Sequence, residues 1–319
     1  MNDISIIGAG SFGTALAIAL ARSGKSVGLW GRNPDHVALL GKARENIANL
    51  SGYPFPDGIE TLHDLGDATT APVTIIAVPM QALASLLREN QSLFQRKILV
   101  AACKGVDLAS GLSPHDLIAK AGGVPALLSG PSFAVDIAAG LPTALTIAAS
   151  TDDAAMALQQ QLACDSLRLY RSDDMTGVAI GGAIKNVMAL ASGMTIGAGL
   201  GESARAALLT RAYAEMQRFA IAQGARAETL AGLSGFGDLI LTCTSPKSRN
   251  FSHGLALGSG APPPKATVEG IATAKAVSNL AKNAQISMPI TDAVTDVLDA
   301  KITISEAMTS LLSRPLTKE

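Results

Sequence analysis

One residue stands out of its surroundings. From Met175 to Gly201 the only charged side chain is Lys185, set in Ile180-Gly181-Gly182-Ala183-Ile184-Lys185-Asn186-Val187-Met188. At helical spacing its neighbours are Gly181, Gly182, Met188 and Ala189, with Ser192 a turn further on. A surface helix carries several charges and avoids paired glycines, which cost about 1 kcal/mol each relative to alanine. A solitary ammonium on a face of small residues points to a groove that a ligand fills. Burial disfavours the charged form of such an amine, and a second nearby cation lowers its pKa further, from about 10.4 towards neutrality. It can then give a proton to a carbonyl oxygen or take one from an alcohol. The alternative is a lysine that snorkels to water past an apolar face. His36, His63, His115 and His253 lie in no comparable setting, which shifts acid–base work towards Lys185.

A second constellation sits at the start of the chain. Gly8, Gly10 and Gly13 form G-x-G-x-x-G directly after an apolar run and at the opening of a helical one. In that context the first glycine permits a tight turn, the second lets a pyrophosphate approach the backbone, and the third lets helix and strand pack closely. The helix N-terminus offers unpaired N–H groups and a positive dipole end. A strict NAD site places Asp or Glu at the end of the next strand. Here Trp30-Gly31-Arg32-Asn33-Pro34 carries no carboxylate until Asp35. Arg32 could pair with a 2′-phosphate, stack on adenine, or be an ordinary surface arginine. The expectation is NADP, with NAD tolerated.

Three more segments could complete a pocket. Lys104 follows an apolar strand, where ligands of doubly wound sheets bind, although a solvated loop lysine fits equally well. Gly130-Pro131-Ser132-Phe133 opens another helix, with Pro131 suited to a first helical turn; a purely structural turn is equally consistent. Asp238 follows the flexible Gly235-Phe236-Gly237 and borders a core or caps a helix. Ser248, Arg249 and Asn250 at a helix start would make a phosphate clamp.

The elements that must hold these residues fall into two unlike halves. Up to about residue 172, β-type runs (Asp3–Ile7, Ser26–Trp30, Val73–Val78, Ile98–Ala102, Ala126–Ser129, Ala144–Ala149) alternate with helical ones such as Ser11–Ser23, Met80–Glu89 and Pro131–Ala139. That alternation predicts a Rossmann-type, doubly wound parallel sheet with helices on both faces. Beyond it, Met175–Ser192, Ser203–Gln223, Val268–Lys282 and Thr291–Ala300 read as helices, and Gly258–Pro264 as an exposed loop. The expected domains are 1–174, binding a dinucleotide, and 175–319, all-helical and catalytic.

Length and composition agree, since 319 residues are enough for about two domains. Apolar residues make up 48%, and 25 basic side chains balance 26 acidic ones. That balance argues against a nucleic-acid partner, as does an aromatic content of only 3%. The apolar run 4–21 lacks a basic segment before it, and the run 68–87 is broken by Pro72 and Pro79, so no membrane insertion is expected. Cys103, Cys164 and Cys243 form neither a disulfide framework nor a metal motif, and the cytoplasm is the expected location. No metal is expected.

Assembled, these residues resemble the bacterial-type NAD(P)-dependent glycerol-3-phosphate dehydrogenases nearly end to end. The likeness rests on GAGSFGTALA, ACKG at Lys104, GPSFA from Gly130, GGAIKNV around Lys185, GFGDLILTCTSPKSRN from Gly235, and VEG ending at Gly270. It implies reversible reduction of dihydroxyacetone phosphate to sn-glycerol 3-phosphate for phospholipid synthesis, in a cleft between the two domains of what is usually a homodimer. It also implies Lys185 as proton donor and acceptor. Lys104, Asp238 and Thr242 would then hold substrate oxygens, with Gly130 and Ser132 lining the site. Ser248, Arg249 and Asn250 would hold the phosphate. Ser11, Phe12, Arg32, Lys104, Ala134, Arg249 and Glu269 would touch the dinucleotide, beside Gly8, Gly10 and Gly13. Ser132 stands where Thr is frequent and Ile184 where Val is frequent; the segment 46–55 matches no family motif securely and receives no role. The competing readings are a dehydrogenase of β-hydroxyacids or sugar acids, whose lysine motif differs from GGAIKNV, and a non-catalytic NADPH-binding regulator, which would not need Lys185.

Overall fold

The computed structural model describes residues 2–313; residue 1 and residues 314–319, which fall at the outer ends of the two expected domains, lie outside the described part. Eight strands, β1 Ile4–Ile7, β2 Val27–Trp30, β3 Ile59–Leu62, β4 Val73–Ile76, β5 Ile98–Ala101, β6 Val124–Ser129, β7 Thr143–Ala149 and β8 Leu167–Ser172, form one sheet in the order β3-β2-β1-β4-β5-β6-β7-β8. The first six run parallel in the dinucleotide-binding order. All four residues of β1 and of β4 are buried, which is why both read as unbroken apolar runs. Alternate residues feed two cores: Ile6, Ile75 and Val100 pack on one face, Ile7, Ile76 and Ala101 on the other.

The sheet is parallel as expected through β6 and mixed beyond it. β7 pairs antiparallel with β6, and β8 runs parallel to β7. Between β6 and β7 lies only the five-residue helix Ala134–Ala138, which packs on the first helix, Ser11–Arg22, before the chain returns alongside β6. That helix also starts later than the expected Pro131. Gly130 has φ of 139°, and Phe133 caps the helix from extended backbone, so Pro131 and Ser132 belong to a turn.

After Ser172 the described residues form no further strand. The helix Met175–Gly197 is the axis of the second half. By length and composition it could cross a membrane, yet 89% of its most apolar window is buried inside the protein. Gly201–Ala222, Asp238–Thr244, Arg249–Ser259 and Glu269–Asn283 surround it. Its partner Arg249–Ser259 crosses it at backbone contact. A Cβ on Gly193 would lie 2.1 Å from the Phe251 carbonyl oxygen, and one on Gly254 would lie 2.2 Å from that of Leu190. Gly197 and Gly258 repeat the arrangement one turn on. At the other end, Val178 and Ala179 pack into the core under the sheet, which anchors the axial helix to the first domain and brings Lys185, two turns later, to the junction.

Candidate active site

The first domain supplies a glycine-rich turn at the crevice between β1 and β4. A Cβ on Gly8, whose φ is 124°, would strike the Ala77 carbonyl oxygen beyond β4 at 2.6 Å, and one on Gly13 would lie 2.0 Å from the Gly8 oxygen. Those two glycines are required by packing. Gly10 is different: its φ is −84° and nothing lies within 4 Å of a Cβ there. The open side of Gly10, beside a helix N-terminus that no side chain caps, fits a pyrophosphate. Arg32 is exposed just beyond β2, and Asn33 caps the helix Pro34–Ala43 by accepting from the Asp35 and His36 amides. Residues 46–49 also close over the turn: Asn46 donates to the Ala9 oxygen and to Thr14 Oγ1, and Ser11 Oγ donates to the Asn49 oxygen. Sequence reading gave this segment no role. Its signal is the pair of asparagines in a stretch without helical or strand periodicity.

The chemistry-bearing side chains meet where the two domains touch. Lys104, following β5, donates to the Gly130 carbonyl oxygen at 2.9 Å and to Asp238 Oδ2 at 2.5 Å. Lys185, from the axial helix, donates to Asp238 Oδ1 at 2.7 Å and to Thr242 Oγ1 at 2.8 Å, while Thr242 Oγ1 also donates to Asp238 Oδ1 at 3.2 Å. Asp238 is 1% exposed and Lys185 8%. Asp238 thus borders the core at Leu239 and Cys243 and is not a helix cap, Lys104 is not a solvated loop lysine, and Lys185 does not snorkel to water. A π-helical turn at Leu233–Gly237 delivers Asp238 to the lysines, and Thr242 follows one turn later on the same face.

Burial pushes the Asp238 carboxyl up, but the charges and hydrogen bonds of Lys104 and Lys185 outweigh it and hold the group below the usual carboxylate range. Burial pushes Lys104 down; Asp238 opposes this and Lys185 reinforces it, leaving Lys104 at about 8.

The small-residue face beside Lys185 has a different occupant from the one expected. Gly181 admits the backbone of Ser234 and Gly235, to which a Cβ would approach within 2.7 Å and 3.0 Å. A Cβ on Gly182 would meet Ser129 Oγ at 2.8 Å and the Lys104 side chain at 3.5 Å. The paired glycines therefore make room for the π-turn and for the second lysine, so they are packing positions and not a ligand groove.

The remaining candidates surround this cluster with unequal freedom. Ser132 Oγ donates back to the Gly130 oxygen, and Ala134 opens the short helix that follows. Ser248 caps the helix Arg249–Ser259 by accepting from the Phe251 amide at 3.2 Å. Buried Asn250 donates to Asn186 Oδ1 and accepts from the Gly270 amide, both at 2.9 Å, so its carbonyl is committed to the fold. Asn186 was not singled out from sequence, although it is the other strongly polar side chain in the run around Lys185. Arg249 is exposed at the first helical position. Glu269 accepts from the Met80 amide beyond β4 at 3.2 Å. Burial raises its pKa, against the pull of that amide and of the Arg249 charge. Glu269 in turn adds to the burial that pushes the neighbouring Cys103 thiol to about 12, which makes Cys103 inert as a nucleophile.

Comparison with known proteins places this arrangement in a family. Residues 3–155 match the N-terminal and residues 174–309 the C-terminal model of NAD-dependent glycerol-3-phosphate dehydrogenase. Among similar curated proteins is a glycerol-3-phosphate dehydrogenase [NAD(P)+] from a Ruegeria species, 53% identical over 322 residues that cover 99% of this chain and 100% of that one. Its counterpart from Cereibacter sphaeroides is 53% identical over 319 residues, with the same coverage. The crystal structure of the Coxiella burnetii glycerol-3-phosphate dehydrogenase superposes with a TM-score of 0.93 at 36% identity, covering 98% of this chain and 99% of that one. The chain belongs to the NAD(P)-dependent glycerol-3-phosphate dehydrogenases, and it is an oxidoreductase of that activity.

Proposed function

We propose that the Lys104–Asp238–Lys185 cluster is the reaction centre for reversible reduction of dihydroxyacetone phosphate to sn-glycerol 3-phosphate. The observation that carries this reading is one buried carboxylate bonded to a lysine from each domain, at 2.5 Å and 2.7 Å. An ammonium has three N–H donors. Lys185 spends two on Asp238 and Thr242, and the third is free to meet the ketone oxygen and pass it a proton as charge develops there. The nicotinamide, when bound, supplies the hydride. Lys104 spends two donors on Asp238 and Gly130 and offers the third to a substrate oxygen, with Gly130 and Ser132 beside it. Asp238 and Thr242 fix the ammonium in place, which limits the reorganisation needed at the moment of transfer.

Arg249, with the remaining donors of Ser248 and Asn250 at the helix start, takes the substrate phosphate, whose binding energy orients a ketone that is otherwise small and featureless. On the cofactor side, Gly8, Gly10 and Gly13 shape the pyrophosphate turn, and Ser11, Phe12, Ala134 and Glu269 complete the dinucleotide's surroundings. Lys104 and Arg249 contact both ligands. Arg32 reads a 2′-phosphate, so NADP is preferred and NAD accepted. The first domain, 1–174, carries the dinucleotide and the second, 175–319, the proton donor. The enzyme works as a cytoplasmic homodimer, and its product enters glycerophospholipid synthesis.

The test is a spectrophotometric assay of NADPH oxidation with dihydroxyacetone phosphate and with 3-oxo acids, on wild type and Lys185→Met. Wild type is expected to turn over only the phosphorylated ketone. The variant is expected to bind NADPH nearly as well and to lose at least ~100-fold in turnover, as when a general acid is removed. Near-normal turnover would take Lys185 out of the mechanism, and preferential use of 3-oxo acids would assign a different substrate.

A further inference from the structure

We infer that Asn46 is a positioning residue for the cofactor, setting the direction in which the glycine-rich turn presents its N–H groups. The inference rests on the reading that this turn holds the pyrophosphate. Asn46 is fully buried, and every hydrogen-bonding position of its amide faces a defined partner. Its nitrogen donates to the Ala9 carbonyl oxygen at 3.0 Å and to Thr14 Oγ1 at 2.7 Å. Its oxygen accepts from the Asn49 amide at 3.3 Å and meets His36 Nε2 at 3.2 Å. With Asn49 Nδ2 also donating to the Asn46 oxygen at 3.4 Å, five groups fix the amide's rotation, and the His36 contact comes from the helix that follows Arg32.

The consequence follows from peptide geometry. Ala9 lies between Gly8 and Gly10, and in a trans peptide the carbonyl of one residue and the N–H of the next point in opposite directions. Holding the Ala9 carbonyl against Asn46 therefore turns the Gly10 N–H to the other side. Gly10 itself is open, since a Cβ there would find nothing within 4 Å. Gly10 has an ordinary φ, and its freedom from side-chain contact leaves the Ala9–Gly10 peptide plane without another lock on that face. Asn49 gives weak support, with Nδ2 at 3.4 Å from the same carbonyl, and its backbone oxygen accepts from Ser11 Oγ at 2.7 Å. Residues 46–49 thus act as a buckle across the turn, and Asn46 is its buried pin. Without that pin the peptide plane can rotate, and a donor aimed at the pyrophosphate is lost for part of the time.

Pyrophosphate is common to both nicotinamide dinucleotides, so this role weakens them equally, whereas Arg32 would weaken one more than the other. The experiment titrates NADPH and NADH into wild type, Asn46→Ala and Gly10→Val, following the fluorescence of Trp30, the only tryptophan. Steady-state kinetics and circular dichroism are measured on the same samples. For Asn46→Ala, Kd and KM for both cofactors are expected to rise about tenfold, with kcat changing less than threefold and the substrate KM unmoved. A loss of stability alone would lower the active fraction and leave the Kd of the folded molecules unchanged. Should Asn46→Ala fail to fold, Asn46→Ser retains a single donor and is expected to raise both Kd values by a smaller, equal factor. An unchanged Kd in a folded variant overturns the inference, and so does a change in the ratio of NADPH to NADH affinity. Gly10→Val separates the two claims: if it binds cofactor normally, the pyrophosphate reading itself falls, and if it loses binding while Asn46→Ala keeps it, only the role of Asn46 falls.

Discussion

Lys104 offers the most exacting test of the site, because its protonation reports on the whole cluster. Its pKa is drawn down to about 8, first by burial and then by Lys185, with Asp238 holding it from falling further. On the proposed reading, the charged amine binds a substrate that bears phosphate and a polarised ketone. Across pH 7 to pH 9 the charged fraction of a group titrating at about 8 falls roughly tenfold. The expected result is that kcat/KM for dihydroxyacetone phosphate falls by about that factor over the interval, because kcat/KM follows the ionisations of the free enzyme. Phosphate is already doubly ionised in this range (its second pKa is about 6), so the substrate contributes no inflection of its own. Lys104→Arg keeps a positive charge at all these pH values and is expected to flatten the profile, at a lower absolute rate because a planar guanidinium does not reproduce the ammonium's contacts. Initial rates in a constant-ionic-strength buffer series, at saturating NADPH, measure both profiles. A wild-type profile level to pH 9, or an identical inflection in Lys104→Arg, would refute the assignment.

Asp238→Asn removes the anion between two buried cations and is expected to cost about 3 kcal/mol in chemical denaturation at pH 7. Because the folded carboxyl titrates below its ordinary 3.8, its contribution is present above that pH and disappears as the solution is acidified through the depressed value, so the gap between variant and wild type should close there. The same variant should move the alkaline inflection to lower pH, since Asp238 is what raises Lys104. Arg32→Asp is expected to raise the Kd for NADPH more than that for NADH, and equal losses would mean that Arg32 does not read the 2′-phosphate. Gly254→Ala puts a methyl group 2.2 Å from the Leu190 oxygen and should lower stability by about 1–3 kcal/mol, seen as a fall in Tm; an unchanged Tm would show that the two helices separate without penalty.

What could be read in advance depended on whether the signal was local. The glycine turn and the buried strands β1 and β4 carry their meaning within a dozen residues, and each formed where expected. β3 and β8 were missed because edge strands are half polar: Ile59–Leu62 buries only its first and last residues, and Leu167–Ser172 alternates arginine with leucine. The direction of β7 was not legible either, since an apolar strand reads alike in both directions. Lys185 was conspicuous, but its environment was misjudged. Gly181 and Gly182 read as emptiness for a ligand, when their occupants are the backbone at Ser234 and the side chain of Lys104, which no helical wheel contains. Asp238 lies 134 residues from Lys104 and 53 from Lys185, so only folding brings the three together.

That convergence has an electrostatic logic. Of two cations buried together with no anion, one would lose its charge by shedding a proton, and the proposed site would lose either its acid or its substrate anchor. Two cations with two anions would be balanced, with no field left for an oxygen gaining negative charge. One carboxylate shared between two ammonium groups keeps the cluster folded and leaves net positive charge aimed at the reacting centre, in surroundings too dry to screen it. It also divides the labour unequally. Asp238 and Thr242 fix Lys185, whereas Lys104 leans on a main-chain carbonyl and the far carboxylate oxygen, and its pKa is drawn down to about 8. On the proposed mechanism the lysine from the sheet is the group that senses alkaline pH, and the one from the helix is the group held in place to transfer the proton. If Lys185→Met kept an alkaline inflection in residual activity, moved to higher pH because Lys185 helps draw Lys104 down, and Lys104→Arg abolished it, that division would stand; the reverse pattern would exchange the two roles.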